Sequence, residues 1–399
     1  MLDRINKLNN KLNDIKIFDL PFLTAILLFV HLLHRFINLY SYVPFDTELL
    51  IDILIVIEQI LSIFLIGLDL LSDKLTDKNK ISFIVLFSFT YFNKIMTGKT
   101  LFLYIISISY IVRKLDLKHV FNFIANCLIV FFALGLVRYA YLLISNPNLI
   151  SYTYSKTDPS KIRYSFGLDH PNEFSMYMSN IILLKCFSNK TSYKKYILYF
   201  IVLFITFLTS VSRNGLIVGL LSFIIVFIDN FHNEKINNAI NKISTYIFPI
   251  MFILLIIMTI MFHFNIIFGV ADGLTNTFEA RLYVNDYVYY FLKPTLFGTS
   301  ASLSPTLAGR TIDSLYILFS YKYGFVWIPI FSYIFYIISI KQDTKYSICI
   351  FIIAYSVLAI FENSGTNLIM FSGLLIISRF FNQQQRYSFN NQIKTNGEQ

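Results

Sequence analysis

Apolar blocks of roughly 17–28 residues recur along the 399-residue chain, and each is long enough to cross a hydrocarbon layer of about 30 Å. This feature makes the chain a polytopic membrane protein. Composition agrees: 56% of the residues are hydrophobic and only 14% are charged. A soluble domain averages about 45–50% apolar and about 25% charged. A soluble enzyme, a disordered chain and a disulfide-built secreted domain are thereby excluded. The three cysteines, Cys127, Cys186 and Cys349, fall in or beside apolar segments with no zinc-like spacing.

The pattern predicts an all-α integral membrane protein of about 12 transmembrane helices. The spans lie near 18–38, 48–71, 81–96, 100–113, 120–145, 171–188, 195–211, 214–230, 245–262, 313–340, 345–361 and 365–381. Residues 1–17 are polar and basic and read as a cytoplasmic N-terminus, not a cleaved signal. Residues 18–381 read as a single polytopic membrane domain and 382–399 as a cytoplasmic polar tail. Two outer loops stand out, at about 146–170 and 263–312, the second between spans 9 and 10. Long loops of this kind tend to carry function.

Charge sets the orientation. With both termini inside, 21 of the 33 lysines and arginines fall on the inner side, so N-in/C-in is favoured. The net charge of +10 then follows from the positive-inside rule and implies no nucleic-acid partner. The arginines split the other way: Arg35, Arg138, Arg163, Arg213, Arg281 and Arg310 all fall on the outer side. Lysine suffices for topology, whereas the rigid arginine fork suits phosphate and carboxylate. An anionic ligand on the outer face is one reading, and contact with lipid phosphates is the other.

Four polar constellations border the outer loops. Arg163, His170, Asn172 and Glu173 cluster where the first long loop enters a span, with Gly167 permitting close approach and Pro171 suiting a first helical turn. The same residues also suit an ordinary interfacial helix start. Arg213 and Asn214 occupy a very short turn, where arginine either binds something or snorkels to headgroups. Residues 278–287 predict an amphipathic interfacial helix. Its Leu282, Val284, Tyr287 and Phe291 would bury, leaving Glu279, Arg281, Asn285 and Asp286 toward a cavity. Arg310 and Asp313 precede Ser314 and Tyr316 at the head of a long span, where Asp313 suits a cap as well as a site.

Glu58 and Gln59 lie mid-span, and a membrane-buried carboxylate is a functional candidate by default, with Arg138 as a candidate partner. His31 and His34, beside Arg35, read as interfacial anchors. No HExxH, P-loop or GxGxxG motif is present, so no metal and no cofactor are expected.

The run Phe166-Gly167-Leu168-Asp169-His170-Pro171-Asn172 resembles the Phe-Gly-x-x-His-Pro-Asn signature of Wzy-type capsule and exopolysaccharide polymerases. Ser212-Arg213-Asn214-Gly215 resembles their Ser-Arg-(Gly or Asn)-Gly turn. Arg281 followed by Leu296-Phe297-Gly298 is similar to the Arg…Leu-Phe-Gly element of their large outer loop. Asp313-Ser314-Leu315-Tyr316, followed by Lys322-Tyr323-Gly324, is similar to their Asp-Asn-x-Tyr…(Arg or Lys)-Tyr-Gly element. These matches span about residues 160–325 and stand in the family's order. The related O-antigen ligases carry a histidine where this chain has Asp313, which argues against a ligase.

The resemblance implies a metal-independent glycosyltransferase in the bacterial plasma membrane, with its site facing outward. Such an enzyme joins oligosaccharide repeat units carried on undecaprenyl pyrophosphate. It also implies lipid, a flippase and a chain-length regulator as partners. His170, Arg213 and Arg281 are the expected catalytic residues. Arg163, Asn172, Asn214, Glu279, Tyr283, Arg310, Asp313 and Tyr316 are the expected pyrophosphate- and sugar-binding residues. His170 is the first candidate for the base, with Asp313 and Glu279 as others. Two further readings remain: a flippase or transporter of lipid-linked oligosaccharide, and a polysaccharide ligase of the same fold.

Overall fold

The structure, a computed structural model, describes residues 20–40, 47–72, 78–146, 152–154, 162–188, 193–212, 215–221, 223–224, 234–266, 276–300, 312, 314–340, 346–361 and 367–382. It is mostly helical. The N-terminal half forms α1 (Leu20–Leu39), α2 (Thr47–Ser72), α3 (Lys78–Thr97), α4 (Leu101–Val112) and α5 (Leu117–Ser145). A hairpin, β1 (Tyr152–Tyr154) with β2 (Ile162–Tyr164), precedes α6 (Pro171–Ser188) and α7 (Tyr193–Ser210). Then come α8 (Glu234–His263), α9 (Asn276–Tyr287), α10 (Leu315–Leu318), α11 (Trp327–Ile340) and α12 (Tyr346–Phe361).

Five of these helices are long and apolar enough to cross a membrane, within Pro21–Leu39, Thr47–Leu71, Leu117–Ser145, Tyr193–Ser210 and Lys235–His263. Helix α2 shows what solvent it was built for. Glu58, Ser62, Leu65 and Asp69 are buried at helical spacing, while Ile53, Val56, Ile60 and Ile63 face outward. Helix α7 repeats the pattern, with Phe200, Ile201, Phe204, Ile205 and Leu208 exposed. Continuous apolar faces on this scale are a liability in water and ordinary in lipid.

Aromatic packing joins the two halves. The single tryptophan, Trp327, is sealed between Phe102 of α4, whose ring stacks at 3.9 Å, and Phe89 of α3 at 5.3 Å. Phe248 of α8 packs on Tyr316, Phe331, Phe335 and Tyr355, tying α8 to α10, α11 and α12.

The sequence pattern needs correction in three places. The loop expected at 146–170 contains the antiparallel hairpin, in which Thr153 faces Arg163. The span expected at 313–340 is broken: α10 passes into a π-turn, Phe319–Gly324, before α11 begins. Gly324 has φ +102°, and the chain on either side of it is bonded to 295–299, through Phe325 N–H to the Thr295 carbonyl at 3.1 Å and Thr299 N–H to the Lys322 carbonyl at 3.3 Å. The last expected span contains a 3₁₀ helix, Ser372–Arg379. Asn180 of α6 reaches into that segment. Its amide donates to the Ile369 carbonyl at 2.7 Å and accepts from Ser372 N–H at 3.1 Å, taking backbone groups that an α-turn would use.

Candidate functional site

The first constellation is held from below by Tyr40. Asp169 N–H donates to the Leu39 carbonyl at 3.1 Å, Tyr40 bridges Leu168, and the Tyr40 hydroxyl donates to the Gly135 carbonyl. Gly167 has φ +90°, and a Cβ there would press 2.6 Å from the Tyr40 ring. The turn therefore requires glycine on two counts.

His170 caps α6. Its carbonyl accepts from Glu173 N–H at 3.0 Å and Phe174 N–H at 3.2 Å, and its Nδ1 accepts from Asn172 N–H at 3.1 Å. An Nδ1 that accepts fixes the neutral ring with its proton on Nε2. His170 is exposed.

Arg163 is the hub. Its Nε donates to the Ser210 carbonyl at 2.8 Å and a terminal nitrogen donates to Asn172 Oδ1 at 2.6 Å. Both acceptors are neutral, and among the described residues no carboxylate pairs with it. Burial lowers its pKa from the ordinary value, through desolvation. A guanidinium starts so high that it stays charged. The result is a cation held at the entry of α6 by two neutral acceptors.

The Ser-Arg-Asn-Gly turn meets the same place. Ser210, to which Arg163 is bonded, ends α7, and Ser179 Oγ donates to the Gly215 carbonyl at 2.6 Å. Arg213 and Asn214 themselves lie outside the described residues; the chain before their turn is fastened to Arg163 and the chain after it to Ser179 of α6.

The third and fourth constellations form a second pair. A Cβ on Gly298 would come 2.9 Å from Gly324 N, and Asn93 of α3 donates to the carbonyls of Phe297 at 3.0 Å and Tyr323 at 2.7 Å. Helix α9 buries Leu282 and Val284 as expected. It also buries Asn285, and Phe291, just past the helix, is 67% exposed, which reverses the expectation for Phe291. The chain winds into a π-turn at Val288–Leu292, which rotates Phe291 out of register with Leu282. Arg281 is half-buried, and Tyr283 is 49% exposed. Asp286 takes His263 of α8 at 2.8 Å, and the His263 ring stacks on Tyr290 at 3.6 Å. The Glu279 side chain, Arg310 and Asp313 lie outside the described residues.

Tyr316 occupies a packing position, not a sugar-facing one. It is 0% exposed, and its hydroxyl donates to the carbonyls of Phe248 at 2.9 Å and Ser356 at 3.2 Å. The expected Glu58–Arg138 pair is also replaced. Glu58 meets His31 and His34, each at 2.9 Å, whereas Arg138 lies over the Tyr141 ring at 5.5 Å. The sequence signal for this cluster was two histidines one helical turn apart and a lone mid-span carboxylate.

A polar knot marks the opposite end of the bundle. Asp69 accepts from Tyr110 at 2.5 Å, Arg113 at 2.6 Å and Lys114 at 2.8 Å, and the Arg113 carbonyl takes the Asn382 amide at 3.2 Å. It ties α2 and the end of α4 to the chain just past the 3₁₀ helix and stands apart from the Arg163 hub.

Comparison with protein-family models, with curated proteins and with solved structures finds no match to this chain.

Proposed function

We propose that this chain is a polysaccharide polymerase of the bacterial plasma membrane. It joins oligosaccharide repeat units carried on undecaprenyl pyrophosphate, at a site facing outward. The observation that carries the reading is the Arg163 hub. One guanidinium fastens the Phe-Gly-x-x-His-Pro-Asn segment, through Asn172, to the Ser210 end that leads into the Ser-Arg-Asn-Gly turn. The two motifs that resemble the polymerases most are thus neighbours in space, around a cation with no carboxylate partner among the described residues. The Gly298–Gly324 contact joins the other two motifs in the same manner.

The chemistry follows from the residue types. An acceptor sugar hydroxyl attacks the anomeric carbon of the lipid-linked chain. The new C–O bond forms as the anomeric carbon–pyrophosphate bond breaks, and lipid pyrophosphate leaves with the electron pair. Fixed cations stabilise the charge that develops on the leaving oxygen. Arg213 and Arg281 are assigned to the pyrophosphate, with Arg163 and Arg310 as support, and His170 Nε2–H is assigned as a further donor. The hydroxyl proton passes to a carboxylate, Glu279 or Asp313. Tyr283 supplies an aromatic face for sugar, and apolar helix faces hold the polyprenyl tail. A flippase and a chain-length regulator are the partners this reading implies.

Reconstitution tests it. Purified protein is given authentic lipid-pyrophosphate-linked repeat units without nucleotide, and the products are run on a gel. A ladder spaced by one repeat unit is expected. Folded protein that yields no ladder overturns the reading, and transbilayer transfer of the same lipid in vesicles would replace it with a flippase.

A further inference from the structure

One cluster within the spans has no part in that chemistry. His31 and His34 lie one turn apart on α1, and Glu58 faces them from α2. His31 Nδ1 is 2.9 Å from Glu58 Oε1, and His34 Nδ1 is 2.9 Å from Oε2. All three side chains are buried, and one nitrogen or oxygen from each lies within 4.8 Å of the others.

The two contacts are unequal in kind. His31 Nδ1–H donates a hydrogen bond to Glu58. His34 Nδ1 and Glu58 Oε2 are just as close, yet their geometry makes no hydrogen bond, and both atoms are buried with no hydrogen-bond partner. Buried polar atoms are nearly always satisfied. A cation among the three groups satisfies all of them at once, because it binds lone pairs from several directions and needs no shared proton. The donor set identifies the cation. Two imidazoles and a carboxylate suit zinc and its neighbours, whereas calcium and magnesium take oxygen ligands.

We infer that His31, His34 and Glu58 form a zinc-class divalent metal site that staples α1 to α2. Each ring coordinates through Nδ1 and keeps its remaining N–H on Nε2. The proton that His31 shares with Glu58 is displaced as the metal enters: a neutral ring takes it up on Nε2, and a protonated ring, which already holds Nε2–H, releases it to the buffer. The site sits close under the His170 loop. His34 is five residues before Leu39, about 7 Å of helix, and the Leu39 carbonyl holds Asp169. The metal therefore braces the helix end on which that loop rests. This inference does not depend on the polymerase reading.

Metal binding tests it without any activity assay. Full-length protein in detergent is stripped with chelator and titrated with zinc, and cobalt is used as an optical probe of the same site. A one-to-one endpoint, visible cobalt bands of a nitrogen–oxygen site and a zinc-dependent rise in melting temperature are expected. His34→Ala and Glu58→Gln should each weaken binding by at least about tenfold, while His119→Ala, at an exposed histidine, leaves it unchanged. The wild-type titration and spectrum need no variant, so they decide the matter even if a variant misfolds. Stripped wild-type protein that takes up no stoichiometric zinc, or binding that survives in folded Glu58→Gln, overturns the inference. Melting that responds to pH but ignores zinc also overturns it, and leaves a histidine–carboxylate cluster only.

Discussion

Gly298 and Gly324 lie back to back: a Cβ on the first would stand 2.9 Å from Gly324 N, and a Cβ on the second 2.6 Å from Gly298 N. Both have positive φ, +86° and +102°. Alanine at either position therefore meets backbone atoms that cannot swing aside, in a conformation that L-residues avoid. Each substitution should cost about 1–3 kcal/mol, and the double variant less than the sum, because one displacement relieves both clashes. Thermal melts in detergent measure this. Asn93→Ala, which removes donors to the same two strands of chain, should lower the melting temperature as well.

This contact also shows what a sequence does and does not disclose. Helix existence was legible because apolar length is a local property, and α1, α2, α5, α7 and α8 fall where the blocks predicted. Position in space was not legible. The break at Gly324 depends on a loop about 25 residues earlier, and the Glu58–His31 contact joins residues 27 apart. The 3₁₀ turn at Ser372 depends on Asn180, 192 residues away. At the candidate site, two segments that the motifs singled out do meet, since Arg163 bonds both Asn172 and the Ser210 carbonyl. Side-chain roles did not follow from order. Tyr316 is core because α8 packs Phe248 and Phe252 onto it, and Phe291 is exposed because a π-turn shifts register in a way no periodicity reveals.

Arg163 should be irreplaceable by lysine. Its fork bonds Ser210 and Asn172 in two directions at once, and a single ammonium cannot hold both acceptors in the same geometry. Arg163→Lys and Arg163→Ala should both lose most polymer while protein stays folded in the membrane. Asn172→Ala, which removes one arm, should fall between these and wild type. Normal chain length on Arg163→Lys would show that only the charge matters there.

The tautomer of His170 makes a different prediction. With Nδ1 accepting from Asn172 N–H, a neutral ring carries its proton on Nε2, and the polymerase reading assigns that N–H as a donor. Donors aimed at developing charge are worth about 100-fold or more. His170→Ala should lose activity on that scale, and His170→Gln should recover part of it, since an amide N–H can donate but cannot act as a base near neutral pH. Turnover of lipid-linked repeat units by the two variants decides the role. Equal, complete loss in both would return the ring to the part of a base.

Two tyrosines separate packing from binding. Tyr316 is 0% exposed and its hydroxyl serves carbonyls on α8 and α12, whereas Tyr283 is 49% exposed on α9. Tyr316→Phe keeps the ring stack and removes the donor, so stability should fall by about 1–2 kcal/mol while turnover per folded molecule holds. Tyr283→Ala should do the reverse: little change in melting temperature, but a higher substrate requirement as a sugar-stacking face is lost. Melting curves and turnover on the same preparations read both effects. A Tyr316→Phe variant that melts normally yet makes no polymer would mean that α10 opens during the reaction and exposes a hydroxyl that is sealed at rest.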